Sequence, residues 1–107
     1  IKVSAENILK WNPELIIVSQ YFNGDLDELS RENKYQNLIA FKNNELYRVP
    51  SRLEPWDFPS PSTFIAQLWL AQKAYPNEYQ DLNYKNEVND FYQTLYGRTF
   101  EELGGEF

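Results

Sequence analysis

The residues best suited to chemistry lie in one short, proline-rich stretch of the chain. Residues 50–61 hold four prolines, and Trp56 and Asp57 stand at the centre, with the charged residues Arg52 and Glu54 just before them. A flat aromatic surface next to a few charges suits a bulky, partly apolar ligand that is held by stacking and shape. The stretch therefore predicts a ligand-binding loop.

The same carboxylates allow an enzymatic alternative. Glu54 and Asp57 could form an acid/base pair of the glycosidase type. The chain has no His, Cys or Met, which removes the commonest general base, the thiolate nucleophile and every soft metal ligand. Two carboxylates three residues apart in a loop are common by chance. We therefore predict that the chain is not an enzyme and that it has no cofactor and no metal site of its own.

Composition and charge limit the classes of molecule that this chain is predicted to bind. The 107 residues suit one compact domain, and 16 acidic against 10 basic residues give a net charge of -6. No run of Lys or Arg could neutralise successive phosphates, so nucleic acid is not a predicted partner. The apolar run Leu15–Val18 is far shorter than the roughly 20 residues that cross a bilayer.

The first half of the chain predicts helices around a buried strand. Ser4 is a good N-cap for a helix over Ala5–Trp11, which Pro13 ends. The unbroken apolar run Leu15–Val18 is typical of a strand buried on both faces in a parallel sheet. Helix formers over Leu26–Glu32 predict a second short helix.

Two further segments have the composition of strands. Leu38–Lys42 and Glu45–Val49 are rich in β-prone residues, and Asn43 and Asn44 between them suit a tight hairpin turn. With the helices on either side, the order of elements predicts an α/β lobe of three layers, with a short, mainly parallel sheet flanked by helices.

Two longer helices follow the proline-rich stretch. Ser60 as N-cap and Pro61 at the first position predict the start of a third helix. Asn83 predicts the cap of a fourth helix that ends at Gly97. The third helix places Phe64, Leu68, Ala71 and Tyr75 on one face with Ile65 and Trp69 beside them, and the fourth carries an apolar stripe of Val88, Phe91, Tyr92, Leu95 and Tyr96. We expect Trp69 and the aromatic residues of this stripe to pack in the core.

Four stretches of the chain carry a family resemblance in their order and spacing. They are Ser4–Val18; Asn37–Leu38 with Phe41–Pro50; Pro55–Asp57 with Pro59–Pro61; and Leu68–Ala71 with Tyr75–Pro76. Together with Phe91–Tyr92 and Tyr96–Gly97, they resemble the C-terminal lobe of class III periplasmic and lipoprotein solute-binding proteins, which serve ABC importers of cobalamin and ferric siderophores. The resemblance covers nearly the whole chain.

The resemblance implies a two-lobed protein with ligand held in the cleft between the lobes and a permease docked across both. Residues 1–107 would then be part of the C-terminal lobe, with the other lobe and the lobe's opening strand and helix outside this sequence. The implied cargo is chelated iron, a haem-like complex or a corrinoid, and the implied partner is the ABC permease. The implied location is extracellular or periplasmic, with membrane tethering only through a lipoprotein anchor that this sequence lacks. An isolated piece with an open sheet edge is expected to self-associate.

The position of the ligand in such a lobe predicts which residues bind it. Ligands of parallel α/β sheets sit beyond the carboxyl ends of the strands, which predicts Tyr21, Arg52, Glu54, Trp56 and Asp57 as ligand-binding residues. Two of these have structural alternatives, since Trp56 could plug the end of the sheet and Asp57 could accept hydrogen bonds in a turn.

One more acidic residue is a candidate for contact with the transporter. The resemblance implies that Glu6 meets arginines of the permease, although an acidic residue at a helix start also stabilises the helix. The alternative class of function for the whole chain is a carbohydrate-binding or other interaction module.

Overall fold

The computed structural model describes residues 2–107 as two compact units, the first ending at Arg48 and the second spanning Val49–Phe107. Within this range, no helix combines the length and the apolar character needed to cross a membrane. The units are described separately below.

Helix caps explain the helices of the first unit. Helix α1, Ala5–Trp11, begins where the Ser4 hydroxyl accepts a hydrogen bond from the backbone N–H of Asn7, 3.2 Å away, as predicted. Helix α2, Leu26–Arg31, begins at Asp25, whose carboxylate accepts from the backbone N–H of Asp27 at 2.8 Å. Both predicted helices are thus confirmed, the second with an end one residue earlier.

A short parallel sheet lies in the same unit. Strand β1, Ile16–Val18, pairs in parallel with strand β2, Leu46–Arg48, with Ile17 opposite Tyr47. Among residues 2–107 the sheet has two strands, one fewer than the sequence predicts. The predicted α/β class with a short parallel sheet is confirmed.

The predicted strand over Leu38–Lys42 is wrong, and so is the hairpin. Residues Ile39–Lys42 form a short helix, α3, whose first N–H donates to the side chain of Asn12 at 3.0 Å. Leu38 and Ala40 are buried. A short apolar run fits a helical turn as well as a strand, and tertiary contacts decide between them. Strand β2 therefore pairs with β1 and not with its neighbour in sequence.

Two helices form the frame of the second unit. Helix α4, Thr63–Ala74, packs against helix α5, Tyr84–Tyr96. The Asn83 side chain caps the start of α5 and Gly97, at φ 71°, ends it, as predicted. The core of this unit consists of Val49, Trp56, Ile65, Trp69, Val88, Tyr92 and Phe100.

The start and the buried face of α4 differ from the prediction. Residues 61–62 form a turn that precedes the helix, and Ser62 takes the N-cap position. Phe64 and Tyr75 are mostly exposed, whereas Ile65 and Trp69 are buried. The helix carries apolar residues on two adjacent faces, and packing against α5 buries the Ile65 and Trp69 face. The predicted core roles of Trp69 and Tyr92 are confirmed. The predicted core role of Tyr96 is wrong, because its side chain is half exposed, although its ring lies 5.5 Å from that of Tyr92, and Phe91 is only partly buried.

Candidate ligand-binding loop

Four of the predicted ligand-binding residues belong to one loop of the second unit. Arg52, Glu54, Trp56 and Asp57 lie between Val49 and the start of α4. The structure joins Glu54 and Trp56 through a shared partner, and leaves Arg52 and Asp57 exposed. The fifth predicted residue, Tyr21, lies in the first unit.

Ser51 fixes the base of this loop. Its backbone has φ 83°, a left-handed conformation that is uncommon for a residue with a side chain. The buried Ser51 hydroxyl accepts from the N–H of Leu53 and of Glu54, at 3.3 and 3.2 Å, and donates to the carbonyl of Glu54 at 2.6 Å. The Ser51 N–H donates to the carbonyl of Glu106 at 2.9 Å. These contacts hold a strained turn at the point where the loop begins.

A buried hydrogen-bond chain holds the middle of the loop. Trp56 is 0% exposed, and its ring lies 5.2 Å from that of Phe100. Its indole Nε1–H donates to the hydroxyl of Tyr92 at 3.2 Å, and that hydroxyl donates to the Glu54 carboxylate at 2.6 Å. Burial, and then the hydrogen bond to Glu54, raise the pKa of Tyr92 well above its ordinary value. The hydroxyl therefore keeps its proton, and remains a donor, further into the alkaline range than an ordinary tyrosine.

Hydroxyl groups hold the far side of the loop. The Thr63 hydroxyl donates to the carbonyl of Phe58 and accepts from the backbone N–H of Ser60, 3.1 Å away. The hydroxyls of Ser60 and Ser62 lie 2.7 Å apart. Between these two anchored sides, the tip of the loop presents the carboxylate of Asp57 and the ring of Phe58, which is 65% exposed.

Arg52 lies at the surface of the same unit. Its guanidinium forms an ion pair with Glu106 at 3.0 Å, and both side chains are mostly exposed. Exposed pairs of this kind contribute little to stability. The Arg52 side chain is therefore free to exchange this partner for a ligand at small cost.

In the first unit, the loop that follows β1 carries Tyr21. Its side chain is 65% exposed, and its backbone N–H donates to the Ser19 hydroxyl at 3.2 Å. The guanidinium of Arg48 donates to the carbonyls of Phe22 and of Gly24, the latter at 2.7 Å, and lies over the Phe22 ring at 5.6 Å. One planar guanidinium thus fixes the loop that presents Tyr21.

Glu6 lies at the start of α1, where its side chain is exposed to solvent. The capping hydrogen bond at this end is made by Ser4. Glu6 is therefore available for a partner without breaking a capping contact.

Tyr92 and Arg48 shape these loops, and neither role is predicted from the sequence. Tyr92 was recognised only as a core residue, because helical spacing reveals burial but not the partner of a hydroxyl. Arg48 is a charged residue at the end of a strand, and that position is the available signal.

The donor set bears on which ligands fit. Among residues 2–107, no group of three or more His, Cys, Asp or Glu side chains could hold a metal ion. The loop instead offers an exposed aromatic ring, a carboxylate and a guanidinium.

Comparison with known proteins places this arrangement in context. The chain is 30% identical over 101 residues, 94% of its length, to the molybdate-binding protein MolA of Haemophilus influenzae, of which it covers 29%. The structure of MolA bound to molybdate superposes with a TM-score of 0.76 over 92% of this chain. No protein-family model matches the chain.

Other solved structures of solute-binding proteins have a similar fold over most of this chain. An ABC transporter solute-binding protein from Sulfurospirillum deleyianum is 33% identical, with a TM-score of 0.78 over 92% of this chain and 30% of that protein. Helicobacter pylori CeuE with Ni(II) bound is 23% identical, with a TM-score of 0.81 over 96% of this chain and 33% of CeuE, and this likeness concerns the fold. The chain spans about a third of the length of these relatives.

The predicted resemblance is confirmed by these comparisons. Homologues of this chain are periplasmic solute-binding proteins of ABC transporters, and the chain matches a C-terminal lobe of the class III type. Because these homologues are periplasmic, they also support the predicted extracellular or periplasmic location.

Proposed function

We propose that the gene product containing this chain is the substrate-binding component of an ABC importer, and that this chain forms one side of its ligand site. The observation that carries the proposal is the 30% identity to MolA over 94% of the chain, together with the shared fold. In this role the protein binds cargo and catalyses no reaction. Its partner is the permease of the importer.

The cargo we propose is a metal carried as a complex: a ferric siderophore, haem or a corrinoid. The exposed Phe58 ring beside the Asp57 carboxylate supports an organic chelate. Molybdate, the ligand of MolA, is the second candidate, and the identity to MolA favours it.

In the second unit, we assign cargo contact to the loop that holds Arg52, Glu54, Trp56 and Asp57. In the first unit, we assign it to Tyr21. Because Trp56 is fully buried, its truncation acts on cargo binding through the loop that it supports and not through a direct contact. We expect Trp56→Ala to weaken cargo binding by about 1–3 kcal/mol. Tyr21→Ala tests a contact more cleanly, since that side chain is exposed. Trp11→Ala, which removes an exposed aromatic residue outside the proposed site, is the matched control.

Uptake in cells tests the transport role. Deletion of the gene should abolish uptake of one metal complex among hemin, cyanocobalamin, a ferric hydroxamate and molybdate, and the wild-type gene should restore it. Tyr21→Ala and Trp56→Ala should restore less uptake than Trp11→Ala at equal protein levels. Uptake of all four compounds that is unaffected by the deletion would contradict the proposal.

A further inference from the structure

Tyr92 stands at the centre of the contacts that hold the candidate loop. It lies on α5 with no exposed surface, and its hydroxyl is both an acceptor from Trp56 and a donor to Glu54. Its ring packs 5.0 Å from that of Phe100. One side chain of a rigid helix therefore contacts two positions of a loop that is 36 to 38 residues away in sequence.

The two loop residues that bind Tyr92 are close together in sequence. Glu54 and Trp56 are separated by Pro55, and the exposed tip, Asp57 and Phe58, follows directly. On its other side the tip is held by the Thr63 hydroxyl through the carbonyl of Phe58. Tyr92 thus holds one end of the tip and Thr63 holds the other. If the hydrogen bonds of Tyr92 are lost, the tip is held at one end fewer.

We propose that Tyr92 is a positioning residue for cargo binding: by hydrogen bonding to Trp56 and Glu54 together, it holds the loop closed and presents Asp57 and Phe58 to the ligand. The inference rests on the proposed function, in which this loop contacts cargo. Tyr92 itself does not touch the ligand, because its side chain is buried.

Loss of the Tyr92 hydroxyl should weaken cargo binding because the loop loses two hydrogen bonds. The indole N–H of Trp56 would stay in the interior without this partner, and a buried unpaired polar group is unfavourable. The partly buried Glu54 carboxylate would lose its contact with α5. Opening of the loop to water removes the penalty without unfolding the helices. Fewer molecules then have the closed, ligand-competent loop, and the apparent affinity falls in proportion to the fraction of molecules that stays closed.

The test compares Tyr92→Phe with Tyr96→Phe in the full-length gene product. Both changes remove one hydroxyl from neighbouring turns of α5, but the Tyr96 side chain is half exposed. Hydrogen exchange by NMR reports on the indole N–H of Trp56 and on the backbone amides of residues 53–58. Calorimetry measures binding of hemin, cyanocobalamin, a ferric hydroxamate and molybdate, and thermal denaturation shows that each variant is folded.

We expect Tyr92→Phe to accelerate exchange at both places and to weaken binding by about 10-fold, the scale of one lost hydrogen bond to a charged group, with Tyr96→Phe close to wild type. Glu54→Gln keeps an acceptor for the hydroxyl and should preserve slow exchange. If Tyr92→Phe does not fold, Glu54→Ala removes the acceptor of the Tyr92 hydroxyl at a partly buried position and should accelerate exchange at residues 53–58.

Two results would overturn the inference. One is exchange in Tyr92→Phe that equals exchange in Tyr96→Phe. The other is fast exchange in Tyr92→Phe with unchanged affinity, which would make the contact purely structural. If the wild type binds none of the four compounds, the proposed function fails and the role toward cargo fails with it. The exchange data would then still show whether Tyr92 holds the loop.

Discussion

The hydroxyl of Tyr92 lies 2.6 Å from the carboxylate of Glu54, a distance typical of a charge-assisted hydrogen bond. Burial and this carboxylate raise the pKa of Tyr92 above its ordinary value of 10.0. The folded state therefore holds the phenolic proton more tightly than the unfolded state does. The resulting stabilisation is complete below pH 10 and is lost as the pH rises above it.

This relationship predicts a specific alkaline sensitivity. Between pH ~10 and ~11, the free energy of unfolding of the wild type should fall more steeply than that of Tyr92→Phe, by at most about 1.4 kcal/mol for each pH unit. Urea denaturation at several pH values measures both slopes. The variant should keep some dependence, since the pKa values of Tyr47 and Tyr84 are also raised by burial. Parallel curves would show that Tyr92 does not titrate differently in the folded state.

The buried face of α4 gives a prediction about stability. Trp69→Ala should destabilise the protein by about 3–5 kcal/mol, because it opens a cavity against the core. Phe64→Ala, on the exposed face of the same helix, should change stability by less than about 0.5 kcal/mol. Chemical denaturation measures both values. Equal losses would show that Phe64 is buried as well as Trp69, as spacing alone predicts.

Sequence patterns predicted the elements whose signals are local. Ser4, Asn83 and Gly97 are caps whose side chains or backbone freedom act within one helical turn, and each was placed correctly. The segment 38–42 was misread because its helix depends on Asn12, a residue 27 positions earlier. The face of α4 was misread because two apolar faces compete on one helix, and only the partner helix selects between them.

In the candidate site, too, local features could be predicted from the sequence and tertiary contacts could not. Proline and aromatic content marked the loop that contains Trp56, and the structure confirms that these residues form one loop. The hydroxyl of Tyr92 could not be connected to that loop from spacing, since the contact crosses 36 residues. The functional roles of Arg52, Glu54, Trp56, Asp57 and Tyr21 remain predictions.

Glu6 should affect transport without affecting the fold. Its side chain is solvated at the start of α1, so Glu6→Gln should leave the melting temperature and cargo affinity nearly unchanged while it reduces stimulation of the transporter's ATPase. Glu6→Arg should reduce stimulation further, because like charges repel across a docking interface. Glu14→Arg reverses another exposed acidic residue of the same unit and serves as the control. Wild-type stimulation by Glu6→Arg would leave only a role at the helix end.

Self-association of the 107-residue chain is predicted from the sheet. Within residues 2–107, β1 pairs with β2 alone, and an apolar cavity of about 390 Å³ adjoins it, with Trp11 and Leu15 in its wall. An open strand edge next to apolar surface favours association. Sedimentation velocity should show oligomers that increase with concentration and are reduced in Trp11→Lys. A monomer at every concentration would contradict this prediction.

The central claim is that this protein binds a metal complex for import, and equilibrium binding tests it most directly. Calorimetry of the full-length gene product against hemin, cyanocobalamin, a ferric hydroxamate, molybdate and a panel of glycans should show one metal-containing ligand bound with a Kd of about 1 µM or tighter. Binding of that ligand should weaken in Tyr21→Ala and remain in Trp11→Ala. Binding of a glycan with no metal complex bound, or turnover of a glycoside, would contradict the claim and favour the carbohydrate-binding or hydrolase alternatives.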